Sequence, residues 1–491
     1  MNLRMFFFLL KKHFVPKRQS GRWQITCYKI LLSLFFACAF FKKNALSAVI
    51  VVTDTPSLQA AITTANAAPD TILFANSITL AAPLPAVTNT YTIDGNNFTL
   101  DGGTLYRGFI MIGGAANPTI MDLTIQNVLA LGGDGGDAQD VRGGSGGGGL
   151  GAGGAIYAGS FAGPTVCNVT FDTCTATGGS APAPAGGTNS GGGGGGGLGG
   201  NGGQGSGAGG NGGGGGGGGY LVGILNDGGD GIANVGGAGG ANGGGTGAST
   251  GVAATAGTYG GGGGGASPAN NAAGVSGAGG YGGGGGGGSS RIGVNATHDA
   301  ANGGFGAGGG GGGRQGGLGG TSPYGGGTGT DGVGNQGGTG GGGAGLGGAI
   351  FTDSSSTVTI MTMVDPFTGS TINFGTGGNP GSTAGLDIFL ASGGNLRLNI
   401  QGGTVALANP IEADALSAAG GVEKLGPGIL NFSGLTNTYR GTTTVTAGTL
   451  QFDADANLGS ATLLALNGGT LQPTITLTST KTTSITAPSI Y

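Results

Sequence analysis

Asp94, Asp101, Asp122 and Arg107 are the side chains of this chain that could act on a polysaccharide. Hydrolysis of a glycosidic bond needs two facing carboxylates, one protonating the leaving oxygen and one serving as base or nucleophile. Elimination instead combines carboxylate-bound Ca2+ with a basic residue such as Arg107. The local composition argues against both. Asp94 and Asp101 each precede a glycine, the ordinary make-up of a turn, and Asp122 lies between two apolar segments. Asp94 and Asp101 are expected to hold turns, and no catalytic residue is assigned.

Other chemistry is thinner. His298 is the one histidine beyond residue 48 and lies in a glycine tract, so a nucleophilic triad lacks its base. Cys167 and Cys174 are the only cysteines in the same stretch. They read either as a disulfide formed in an oxidising compartment or as two small buried residues of one coil. With one remote histidine they fall short of the four ligands of a zinc site. Residues 326–334 fit the Ca2+-binding nonapeptide GGxGxDxUx, with a degenerate copy at 132–140. Such sites form between stacked tandem repeats, and these two are far apart. No metal and no cofactor is expected.

The elements that would position any of these groups begin after a leader. Residues 1–48 hold nine basic and no acidic residues, then a twelve-residue apolar run from Ile30 to Phe41, then Ala45, Ser47 and Ala48. That order reads as a secretory signal cleaved after Ala48. The run is well short of the roughly 20 apolar residues of a spanning helix. Beyond residue 48 the chain keeps eight basic residues against 21 acidic ones. The acidic excess argues against nucleic acid and against anionic lipid as partners.

Residues 49–177 open with a helix signal, Thr55 as N-cap and Pro56 at the first helical position. Leu58, Ala61, Ile62 and Ala65 form one apolar face. Short strands follow, among them Thr71 to Phe74, Phe98 to Leu100 and Leu123 to Ile125, with Asp-Gly, Asn or Pro between several of them. The expected fold is all-β: a right-handed parallel β-helix whose first coil is covered by the helix.

Residues 178–346 hold 85 of the 129 glycines. Ordering glycine costs the most backbone entropy, and glycine has no side chain to bury in return. The stretch reads as a flexible or extended low-complexity insertion, with polyglycine-type packing as its ordered form. Its borders repeat a phrase: Gly153-Gly154-Ala155-Ile156-Tyr157 before it and Gly347-Gly348-Ala349-Ile350-Phe351 after it. One coil element with a long loop grown out between copies accounts for both.

Residues 347–491 return to strands. Gly-Thr-apolar recurs at Gly403, Gly448 and Gly469, spacings of 45 and 21, which suits coils of roughly 20–23 residues taken two and one at a time. Residues 421–450, with Lys424, Gly426, Gly428, Leu430, Ser433-Gly434, Asn437, Tyr439, Gly441, Thr443 and Gly448-Thr449-Leu450, resemble the autotransporter-associated β-strand repeat, which extends to 471 if Gly469-Thr470-Leu471 is included. The start, from Ser57 through Asp94-Gly95 and Asp101-Gly102, is similar to the cap of pectin-lyase-like β-helix surface proteins. The Gly-Gly-Ala-Ile phrases are similar to those of polymorphic outer membrane proteins.

These resemblances imply a β-helical passenger exported across a Gram-negative envelope to the surface or the medium. The role expected is structural or adhesive, toward a host-cell, matrix or envelope surface. The rival is a secreted β-helix polysaccharide lyase or glycoside hydrolase. The stretch from Leu450 to Tyr491 is too short for a membrane barrel, so outer-membrane association is expected only through a missing or separate one.

Overall fold

The computed structural model describes residues 48–138, 142–184, 191–206, 214–219, 226–232, 235–249, 252–267, 275–289, 299–391, 393–415 and 420–488. After a first strand, Val49–Val52, comes helix α1, Thr55–Ala67. Its N-cap is Asp54, one residue before the expected Thr55. The Asp54 carboxylate accepts the Ser57 N–H at 2.9 Å, and Ser57 Oγ accepts the Asp54 N–H at 3.1 Å, closing a capping box. Thr55 is instead helical, and its hydroxyl donates to Thr79 O at 3.2 Å. Leu58, Ala61, Ile62 and Ala65 are buried, as the spacing requires.

The chain then winds as a parallel β-helix. Its principal sheet has 13 strands, every recorded pairing parallel, running from Val49–Val52 through Thr92–Asp101, Thr119–Gln126, Thr165–Asp172, Thr357–Thr362, Asn395–Ile400 and Val422–Leu425 to Thr482–Ala487. Alternation puts Ile93, Ile120, Val166, Ile360 and Leu398 in one inward column, all buried. Thr92, Thr119, Thr165 and Thr359 form the outward column beside it. Four smaller parallel sheets make the other sides of the coil.

Corners use residues that tolerate left-handed backbone. Asp122 and Asn168 stack at one corner with φ of 49° and 53°, and Asn127, Thr173 and Gly369 stack at the next with 49°, 52° and 65°.

Coil length follows the corner loops. Val422, Thr443 and Leu464 are successive register partners, at the same step that separates Gly448 from Gly469. Thr404 and Thr449 stand two rungs apart with Ile429 between, and Thr470 is one rung on. Longer loops stretch the step from Arg397 to Glu423, and stretch it further from Thr119 to Thr165. The largest excursion carries the glycine tract, across which Thr165 pairs directly with Thr359. The two copies of the repeated phrase are neighbouring rungs, Ile156 on Ile350 and Tyr157 on Phe351.

The described residues of the glycine tract are packed and hydrogen-bonded. Residues 143–151 show the rule. Gly144, Gly147 and Leu150 donate to Gly288, Gly285 and Gly282; Ser145, Gly148 and Gly151 to Gly338, Gly341 and Ala344; Gly146 and Gly149 to Gly136 and Gly133. Successive N–H groups thus point to three different neighbours with a period of three, the repeat of an extended three-fold helix. The same segment accepts from three others, through Gly193 and Gly196, Gly308 and Gly311, and Gly179.

Six neighbours around one strand is the packing of a polyglycine bundle, and it leaves no room for side chains. A Cβ on Gly146 would lie 1.9 Å from Gly194 O, and one on Gly194 would lie 1.9 Å from Gly216 O. Main-chain hydrogen bonds replace the apolar core that the composition cannot supply. The bundle also recruits 132–136 and 143–151 from before residue 178 and 375–378 from after residue 346, so the compositional border is not the architectural one.

Candidate functional site

The polar residues singled out for chemistry are engaged in holding the coil. Asp94 Oδ1 accepts the Asn96 N–H at 2.8 Å. Asp101 accepts from Gly103 N, Gln126 Nε2 and Asn127 Nδ2 at 2.7, 2.7 and 3.1 Å. Burial pushes its carboxyl up, but these three donors outweigh it and hold the group below its ordinary value. Asp122 accepts Asn168 Nδ2 at 2.7 Å across one rung.

Arg107 is buried, and its Nη2 donates to Leu198 O, in the bundle, at 2.7 Å. Burial lowers its pKa to about 10. Its Nε and Nη1 find no hydrogen-bond partner among the described residues.

The remaining candidates are structural where they are described. Asp331, in the nonapeptide match, accepts the Gly319 N–H at 2.8 Å, and Asp134, in the degenerate copy, accepts that of Ser180 at 2.6 Å. Cys167 and Cys174 are free thiols, Cys174 in the interior and Cys167 half-exposed on the outer face. Burial pushes both thiols up, Cys174 far more strongly. His298 and the leader ahead of Ala48 lie outside the described residues.

The fold does bring together a seam between bundle and β-helix. On the β-helix side Tyr157, Phe351 and Phe389 stack across adjacent rungs, with centroids 5.1 and 5.8 Å apart. On the bundle side Tyr259, Tyr281, Phe305 and Tyr324 stack at 5.6, 5.0 and 5.1 Å. The columns meet edge-on at Phe305 and Phe351 and through a 2.8 Å hydrogen bond between the Tyr157 and Tyr259 hydroxyls. Asp353, fully buried, accepts from Tyr259 at 2.6 Å, from Ser160 at 2.8 Å and from Ser354 N at 2.6 Å. Burial, and then the Asp353 charge, push the Tyr259 hydroxyl well above its usual value.

Sequence reasoning missed this seam, although a signal was present. Each of these four bundle aromatics is followed by a glycine, Gly260, Gly282, Gly306 and Gly325, and all four glycines have φ between 72° and 77°. An aromatic-Gly pair recurring every 19–24 residues marks a tight turn that delivers a ring to the same side each time.

The rims of the bundle carry a second pattern. Asp227 Oδ1 accepts the Asn201 N–H at 2.7 Å, and Asn201 Oδ1 accepts the Asp134 N–H at 2.9 Å. On another rim Asn302 accepts from Thr321 N and Asp299 from Leu318 N, each at 2.8 Å. Side-chain oxygens thereby satisfy outward N–H groups that another strand would otherwise take.

Near the end of the β-helix the repeat-like residues have identifiable tasks. Lys424 occupies the inward column between Leu398 and Val445 and is 1% exposed. Its ammonium donates to Leu425 O, Gly426 O and Ala447 O at 2.7, 2.8 and 3.0 Å, tying one rung's corner to the next. Burial lowers its pKa to about 8. Gly448 packs over it at φ 65°, where a Cβ would lie 2.8 Å from Lys424 Nζ.

Asn437 accepts Ile411 N at 2.7 Å and donates to Asn457 O. The Thr443 hydroxyl donates to Leu458 O at 2.8 Å, so Tyr439, 2.7 Å from it, is the donor of that pair. Leu430 and Leu450 are register partners in the core.

No curated protein and no solved structure shows significant similarity to the chain. Residues 422–452, the stretch organised around Lys424, match the passenger-associated-transport-repeat family. That repeat supports an autotransporter passenger, a class of protein carried to the surface of Gram-negative bacteria or beyond it.

Proposed function

We propose that the chain is an exported, non-catalytic display protein whose β-helix serves as a stiff stalk and whose glycine bundle is a docked accessory body with an adhesive role. The observation that carries this reading is the transport repeat at 422–452, set in a parallel β-helix that also carries the bundle. A solenoid held by main-chain bonds between coils is long and stiff, and a body grown from one of its loops is presented without interrupting the stack. The cap helix and the stacked Gly-Gly-Ala-Ile rungs favour the finer likeness to pectin-lyase-like and polymorphic outer membrane surface proteins. The partners that fit are uncharged or basic surfaces of a host cell, matrix or envelope, in keeping with the acidic excess after residue 48.

Protease shaving of intact cells, with the culture supernatant blotted alongside, tests display. A cell-bound band lost without lysis, or a band in the medium, is expected; a cell-bound band that stays protected overturns the reading. Purified protein that binds neither cells nor matrix above background would remove the adhesive part alone.

A further inference from the structure

Beyond residue 48 the chain has six sulfur-bearing side chains: Met111, Met121, Cys167, Cys174, Met361 and Met363. Met111 and Cys174 are buried in the core. Of the other four, three fall in one column. Met121, Cys167 and Met361 are register partners on three consecutive strands of the principal sheet, although they are far apart in sequence. Their inward neighbours are Ile120, Val166 and Ile360, so all three sulfurs stand on the outer face, where each residue is half-buried.

Adjacent strands are about 4.7–4.9 Å apart, which places Cys167 one strand spacing from a methionine on either side. The outward column two residues earlier is Thr119, Thr165 and Thr359, the composition this face otherwise prefers. Asp94 and Asn399 bracket the sulfur column above and below. Cys167 is unbridged.

One thiolate flanked by two thioethers is a soft donor set of low coordination number. It suits Cu(I) or Ag(I), and it serves neither hard oxygen-seeking cations nor four-coordinate zinc. We propose that Met121, Cys167 and Met361 form a binding site for one soft monovalent metal ion on the outer face of the β-helix. Binding replaces the thiol proton of Cys167: the S–H bond breaks, a sulfur–metal bond forms and one proton leaves to solvent, so thiolate and ion neutralise each other. The two methionine sulfurs complete the coordination without adding charge.

The test uses the full chain on a Cys27→Ser, Cys38→Ser background, so that Cys167 and Cys174 are the only thiols. The reduced protein is titrated with Ag(I), which is redox-inert, and separately with Cu(I) against bicinchoninate. One equivalent per chain is expected. Cys167→Ser should abolish it, Cys174→Ser should leave it intact, and Met121→Leu with Met361→Leu should weaken it at least tenfold while the thiol remains. Far-UV circular dichroism melting of each variant shows that the fold persists, as expected for outward-facing substitutions. Absence of stoichiometric binding, binding that survives Cys167→Ser, or a methionine double variant that binds like the parent would each overturn the site.

Discussion

Tyr259 donates to Oδ2 of Asp353 at 2.6 Å, and the two residues belong to different architectures, one a turn of the glycine bundle and the other the end of a β-helix rung. The same phenol touches the Tyr157 hydroxyl, so one side chain ties the bundle to two adjacent rungs. Tyr259→Phe keeps the ring stack and removes both bonds. It should cost about 1–3 kcal/mol, the usual penalty for leaving buried polar groups unpaired. Hydrogen exchange should show lost protection in bundle residues 260–267 while the strand Thr119–Gln126 is unchanged; uniform protection would mean the seam is held by stacking alone.

Lys424 gives a dependence on pH with a definite sign. Its pKa is lowered from 10.5 to about 8 by burial, so the unfolded chain holds a proton that the folded chain releases. Between those values stability from this group rises with pH, because the folded lysine no longer has to carry a buried charge. Urea unfolding at pH 8 and pH 9, where a tyrosine of ordinary pKa near 10 is still about nine-tenths protonated, should show the increase. Lys424→Met should flatten it and, by stranding three carbonyls, lower stability at pH 8 by about 1–3 kcal/mol.

Glycine is required inside the bundle and dispensable at open corners of the coil. Gly146→Ala sets a methyl 1.9 Å from a carbonyl oxygen, whereas a Cβ on Gly402 meets nothing within 4 Å. The first substitution should lower the unfolding free energy by at least about 1–3 kcal/mol, as overpacking does. Gly402→Ala should leave it unchanged, and equal melting temperatures for the two would contradict the packing described.

The rims predict solution behaviour. Replacing Asp134 and Asp227 by alanine uncaps the N–H groups of Ser180 and Asn201. Exposed main-chain donors along a straight strand invite another strand. Sedimentation velocity should show concentration-dependent association of the double variant that the parent lacks.

The β-helix was legible because its signals are local. Alternation, turn glycines and the repeated phrase around Ile156 and Ile350 each lie within a few residues, and the register shows that the phrases stack. The helix start was displaced by one residue because Asp54 and Thr55 are both good caps and only the Ser57 geometry decides between them. The bundle was harder to read: its bonds join residues such as Gly144 and Gly288, with no side chain to announce the pairing. The seam was hidden for the same reason, since Tyr157 and Tyr259 are distant in sequence and touch only through the fold. Arg107 looked like a candidate for chemistry because its charge is visible in sequence, while its burial against Leu198 is not.

The intolerance of the inner strands has a genetic corollary. Glycine codons share their first two bases, so a third-position change is silent and every missense change there adds at least a Cβ where, at Gly146 or Gly194, a carbonyl oxygen already stands 1.9 Å away. Natural variants of this gene should therefore accumulate synonymous changes across the inner strands and amino-acid changes on the outward faces of the coils. A reading frame can drift in its DNA there while its protein stands still.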